Sequence, residues 1–332
     1  MKRFLLSLLI LLCAIPFVAC NSEAKKIGIC LPTNDDAYFG TEGEYYLTEF
    51  KAKGHEVLIK YCENNAQKQE EELRSLISEK CDIIIVAPID TDDLKTAVAD
   101  AKSAGIKIIA YQTAIDGADA NITFDTSKTG LIIGEYLENK LGLKDTTSKL
   151  EIEMFCGSLS NELEKTYYND SMSVLEPYFA SKTLSIGSGL KDYDKVASDG
   201  TSDEAETRLI KLLARYYIGT RNLHAIYTSD ETIANGVRSA LTSSGHYEKS
   251  YPVVTTVGCS LSTAKRIKEG TQTMAVFSDR SKLLYSTVDV TLDYLSGKSS
   301  LVSKTFEPVV ITKENYKTEL IDTGVYTEEQ LK

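Results

Sequence analysis

The residue types that usually carry catalysis are present here in arrangements that do not support it. Only three histidines occur, His55, His224 and His246, scattered without metal-ligand spacing. The acidic run Asp192-Tyr193-Asp194 would need further oxygen ligands and a glycine to hold calcium, and Val196 and Ala197 stand where those belong. The phosphate-loop pattern and the Gly-x-Ser-x-Gly elbow are both missing. Carboxylate runs such as Glu70-Glu71-Glu72 read as solvated helix surface. No enzyme, metal or cofactor is expected. What remains is recognition chemistry at the ends of buried apolar runs, where Ala87-Pro88-Ile89-Asp90 and Tyr111-Gln112-Thr113 stand.

Those two groups belong to one unit spanning residues 80–115. A buried strand over 81–87, a helix over 92–104 and a second buried strand over 107–111 make a parallel βαβ unit with both sheet faces covered. Ligands of such sheets sit beyond the carboxyl ends of the strands. The same alternation runs through the chain. Strands are expected over 26–31, 56–62, 121–124, 149–156, near Leu184, and over 224–228, 252–257, 273–277 and 306–311. Helices are expected over 40–53, 66–79, 126–140, 161–178, 203–217, 231–243, 261–269 and 282–295, with a last short one after 311. The polar loop 142–148 is the first clear break. The fold class is therefore α/β, two doubly wound Rossmann-like lobes with a cleft between them.

Lys2 and Arg3 precede an apolar run over 4–19, too short for a stable membrane span, so residues 1–19 read as a signal peptide. The run ends Phe17-Val18-Ala19-Cys20, similar to a lipoprotein cleavage box with Phe17 in place of the usual Leu. Cys20 is then the expected lipidation site and 20–25 a tether, holding an exported protein on a membrane; ordinary secretion is the simpler alternative. The net charge of −11 becomes more negative once Lys2 and Arg3 are removed. With no basic patch, this argues against nucleic acid and anionic lipid as partners. Five cysteines follow Cys20, at strand positions and odd in number. They are expected as free buried thiols.

The turn IGICLPTNDDAYFG, the 56–113 region, the stretches EIEMFCGSLSNE and TSDETIANGVRSAL, and above all the ending VVITKENYKTELIDTGVYTEEQLK carry a resemblance. Nearly all of the mature chain resembles the periplasmic monosaccharide-binding proteins of bacterial ABC importers, in their xylose- and multiple-sugar-binding branch. The resemblance implies a type I clam-shell with three crossovers, lobe one over 26–125 plus 275–305 and lobe two over 126–274 plus 306–332. It further implies a monomer that captures a small polar solute and delivers it to an ABC permease. A sensory protein reporting its ligand to a membrane receptor is the alternative. An exported hydrolase ranks last, lacking a nucleophile and base.

By the same resemblance the pocket draws on the turn after strand one (Asn34, Asp35, Asp36, Tyr38, Phe39) and on Gln112 and Thr113. From the second lobe it draws on Ser158, Asn161, Ser229, Asp230 and Cys259, and after the strand over 273–277 on Ser278, with Asp279 next. Asn34 to Asp36, Asn161 and Asp230 could instead cap helices. Gln112-Thr113 replaces the family's usual Asp-Arg, Cys259 an acid, and Ser278 a Gln or Lys. Hydrogen bonds to charged groups contribute about 1.5–3 kcal/mol each. A pocket poor in fixed charge is thus expected to hold common aldoses at high micromolar affinity at best and to favour a modified sugar or nucleoside.

Overall fold

The structure, a computed structural model, describes residues 24–35, 38–245 and 251–332. The signal segment, Cys20, Asp36 and His246 lie outside the described residues. In chain order the first elements are β1 (Lys26–Leu31), α1 (Phe39–Ala52), β2 (Glu56–Tyr61), α2 (Ala66–Ser78), β3 (Ile83–Val86), α3 (Thr91–Ser103), β4 (Lys107–Gln112) and β5 (Ala120–Phe124). Next come α4 (Thr129–Lys140), β6 (Leu150–Phe155), α5 (Glu162–Ala180), β7 (Leu184–Ile186), α6 (Tyr193–Val196), α7 (Ser202–Tyr216), β8 (Ala225–Thr228) and α8 (Glu231–Ser243). The chain continues with β9 (Val253–Val254), α9 (Leu261–Glu269), β10 (Met274–Phe277), α10 (Arg280–Leu295), β11 (Lys304–Phe306) and β12 (Val309–Thr312), followed by a π-helical turn, Lys317–Ile321.

The first lobe is a six-stranded parallel sheet in the order β11-β5-β4-β3-β1-β2. Successive side chains of a strand point to opposite faces. Ile27, Ile29, Ile83 and Ile85 pack with Tyr46 and Phe50 of α1 and Leu283 of α10. Cys30, Ile84 and Val86 pack on the other face with Leu73 and Leu76 of α2 and Leu94 and Val98 of α3. Both faces are covered, so these strands show continuous apolar runs.

The second lobe has a four-stranded sheet, β7-β6-β8-β9. It continues into the antiparallel pair β10-β12 through Val276 N–H to Thr256 O and Gly258 N–H to Val276 O, both 2.9 Å. Met274 and Val276 share a core with Ile152, Met154 and Tyr227. The strand Met274–Phe277 thus pairs on the second-lobe side, whereas the sequence reading gave residues from 275 onward to the first lobe. The chain regains the first lobe only at α10, whose Leu283 and Val288 lie in that lobe's core.

A second difference lies over 306–311, expected as one strand. Pro308 has no N–H to give to a ladder. The run splits there, Lys304–Phe306 joining β5 and Val309–Thr312 joining β10. The strand expected over 252–257 is reduced to Val253–Val254 plus a single bridge from Val257 to Val276.

The chain passes between lobes three times, over 125–128, 278–279 and 307–308. Each passage leaves the carboxyl end of a strand: Phe124, Phe277 or Phe306. Connections of two to four residues thus join the lobes at the carboxyl ends of strands. Lys128 Nζ sits 3.2 Å from Glu307 Oε1 and ties the first passage to the third.

The five cysteines are buried and free of disulfides. Burial pushes the Cys81 thiol up to about 11, which suits an inert core residue. Cys30 and Cys62 lie with their Sγ atoms 3.6 Å apart, a proximity the sequence spacing did not show. His55 and His224 are structural: each Nδ1 accepts a backbone N–H, from Lys25 at 3.3 Å and Glu151 at 3.0 Å.

Candidate functional site

On the first lobe, β1 ends at Leu31 and the chain turns through Pro32 to Asp35 before α1 begins. Asn34 and Asp35 are exposed, and Asp35 N–H donates to Thr33 Oγ1 at 3.1 Å. Tyr38 occupies the N-cap position of α1 without a side-chain cap bond. One turn on, the Glu42 carboxylate takes two hydrogen bonds from Arg280, Nε to Oε1 at 3.0 Å and Nη2 to Oε2 at 2.9 Å. The guanidinium lies 4.7 Å from the Tyr38 ring centre and 4.8 Å from that of Phe39. Gln112 Nε2 also reaches Glu42 Oε2, at 3.5 Å. Gln112 has φ +70°, a left-handed conformation costly for a residue with a side chain. Thr113 is exposed beside it. Beneath them, burial first and then the Glu42 carboxylate hold the Tyr111 phenol well above its usual range.

On the second lobe, the end of β6 and the end of β8 meet at one carboxylate that sequence reasoning did not select. Glu164 Oε2 accepts from Gly157 N–H at 2.9 Å and from the Ser229 hydroxyl at 2.6 Å. Its Oε1 accepts from Asn161 Nδ2 at 2.7 Å. Asn161 also caps α5, its Oδ1 taking Glu164 N–H at 3.2 Å. A side chain at Gly157 would place Cβ 2.7 Å from Glu164 Oε2, so glycine is what admits the carboxylate. Ser158 is exposed at the rim, bonded to Ser160 at 2.9 Å. Asp230 caps α8 through Ile233 N–H at 2.9 Å. Burial, with a contribution from Glu164, raises its carboxyl above the ordinary aspartate range.

The structure therefore gathers Tyr38, Phe39 and Gln112 on one edge, and Asn161, Ser229 and Asp230 on the other. Ser278 lies half-buried in the second passage, followed by Asp279, which caps α10 through Ser281 N–H at 3.0 Å. Cys259 is set apart. Its side chain packs with Ala264, Ile267 and Ile311, burial pushes its thiol up to about 12, and its carbonyl accepts from Tyr326 OH at 2.9 Å.

Beyond the positions directly after strands, charged side chains also stand at these edges from the first turns of helices: Arg280 and Glu42 on one lobe and Glu164 on the other.

A periplasmic binding protein domain model matches residues 27–299. The multiple sugar-binding periplasmic protein SbpA of Azospirillum brasilense is 32% identical over 93% of this chain and 92% of its own. The multiple sugar-binding periplasmic receptor ChvE of Rhizobium radiobacter is 29% identical over 95% of each. Among solved structures, an ABC transporter solute-binding protein from Clostridium phytofermentans with bound β-D-glucose aligns at TM-score 0.70 and 31% identity, covering 93% of this chain and all of that one. These relatives are binding proteins, not enzymes. The chain belongs to the periplasmic binding protein family, among relatives that include receptors for multiple sugars.

Proposed function

We propose that this protein captures a small, neutral, sugar-like solute between its lobes and delivers it to the permease of an ABC importer. The observation that carries this reading is the pairing of two built edges. Each lobe presents polar and charged groups at the carboxyl ends of its strands, and three connections of two to four residues join the lobes there. A ligand gripped by both edges favours the closed arrangement, because only closure lets both sets bond it at once. The charges argue against an anion: Arg280 is already balanced by Glu42, while Glu164 and Asp230 on the other edge would repel one.

We assign residues 1–19 to a signal peptide and Cys20 to lipid attachment, so that the exported receptor works on a membrane surface. The relatives' names support sugar as the ligand class. Solution scattering with and without D-glucose tests the central reading. The radius of gyration should fall on saturation, and an unchanged radius with glucose demonstrably bound would refute closure.

A further inference from the structure

We propose that Arg280 is the ligand-positioning cation of the first lobe and that Glu42 is the residue holding it in place; this rests on the solute-binding reading above. Arg280 is the first residue of α10, directly after the second passage between lobes. Its Nε and Nη2 are committed to Glu42, a bidentate arrangement that fixes the plane of the guanidinium. The two partners differ in exposure, with the glutamate side chain 7% accessible and the arginine 29%. The anchored end is thus buried and the outer edge is open. Among the described residues no acceptor takes a hydrogen bond from Nη1.

The surroundings of that open edge suit a polyhydroxylated ring. The faces of Tyr38 and Phe39 back the cation at 4.7 and 4.8 Å, and Tyr38 is more than half exposed. Aromatic faces pack against C–H surfaces, while a guanidinium edge donates to adjacent oxygens. The Gln112 amide joins the same carboxylate from β4, so three elements distant in sequence converge on it. The ligand class is a neutral ring bearing adjacent hydroxyls, one or two of which accept from Nη1.

The test uses the full-length exported protein and ligand-observed NMR with D-glucose and its 2-, 3-, 4- and 6-deoxy analogues, a method suited to weak binding. Wild type should bind D-glucose, and loss of the hydroxyl facing Nη1 should weaken binding about tenfold. Arg280→Met should weaken D-glucose at least about tenfold and abolish that one deoxy penalty while leaving the others. Arg280→Lys should restore part of the affinity, and Glu42→Gln should fall between wild type and Arg280→Met. Two results overturn the proposal: unchanged affinity in Arg280→Met, or weakened affinity with every deoxy penalty intact, the mark of a purely structural ion pair. Failure of wild type to bind D-glucose, D-xylose or myo-inositol would instead overturn the solute-binding reading, and this inference with it.

Discussion

Removing the Glu164 carboxylate should disorganise the second-lobe edge without touching the ligand directly. Three hydrogen bonds end on this group, from Gly157 N–H at 2.9 Å, Ser229 Oγ at 2.6 Å and Asn161 Nδ2 at 2.7 Å. Each bond to an ionised acceptor contributes about 1.5–3 kcal/mol. Glu164 is partly exposed and water can meet the Asn161 NH2 in its place, so the lower end of that range applies. With the Asn161 bond replaced by one to water, the two remaining bonds make Glu164→Ala cost about 2–4 kcal/mol, shared between folding and ligand affinity. A one-half share in binding is about a fivefold to thirtyfold rise in Kd. Glu164→Gln separates shape from charge. Its carbonyl oxygen can still accept from Gly157 and Ser229, but its NH2 would meet the Asn161 NH2. Asn161 cannot turn to relieve this without giving up its cap on Glu164 N–H. One bond is lost, about 1 kcal/mol. Calorimetric unfolding of the free protein and titration with D-glucose read the two shares. Glu164→Ala with wild-type stability and affinity would refute the account of this edge.

Three further outcomes are expected. Gly130 on α4 meets α5 so closely that an added Cβ would lie 2.4 Å from Tyr167 O, so Gly130→Val should destabilise by about 1–3 kcal/mol or more, seen as a lowered unfolding midpoint. The Asp230 carboxyl is raised above the ordinary value of 3.8, chiefly by burial, so it binds a proton more readily folded than unfolded. Its stabilising contribution is full below pH 3.8 and is lost as pH rises through the raised folded value. The stability advantage of wild type over Asp230→Asn should therefore shrink over that window in urea titrations, and a constant difference would count against it. If Cys20 carries lipid, Cys20→Ser should move the protein from the detergent phase to the soluble exported fraction or stall processing, whereas wild type wholly in the soluble fraction would contradict the anchor.

The sheets were legible because burial on both faces leaves unmistakable apolar runs. Ile83–Val86 is four consecutive apolar residues bounded by Asp82 and the Ala87-Pro88 turn, and it lies mid-sheet. Helix starts were legible where a cap announces them, as at Asn161 and Asp230. The 306–311 run was misread because its hydrophobicity is continuous while its hydrogen bonding is interrupted at Pro308. The candidate site was legible only in part. Tyr38, Phe39, Gln112, Asn161 and Ser229 follow strands in the sequence, and the structure sets them on the two candidate edges. Arg280 carries no signal of its own in the sequence, because its partner Glu42 lies 238 positions away. Glu164 escaped because on a helix's first turn it resembles any dipole-stabilising acid. What could have flagged it is Gly157, a glycine directly after a strand and opposite that turn.

The seat of β11 beside β5 bears on the order in which the protein folds. Lys304–Phe306 pairs with Ile122–Phe124, so a strand near the end of the chain completes a sheet begun near its start. Asn121 N–H donates to Ser303 Oγ across 182 positions. Until those last residues are available, β5 is an open edge with unpaired backbone groups, and the helix α10 that covers one face of the sheet is also missing. Closing so long a loop is entropically slow. The first lobe therefore cannot finish folding as an early, separate unit, although it comes first in the sequence. A chain passed across a membrane from its amino end would stay incompletely packed through most of its passage, and consolidate only when residues beyond 300 arrive to cap the edge.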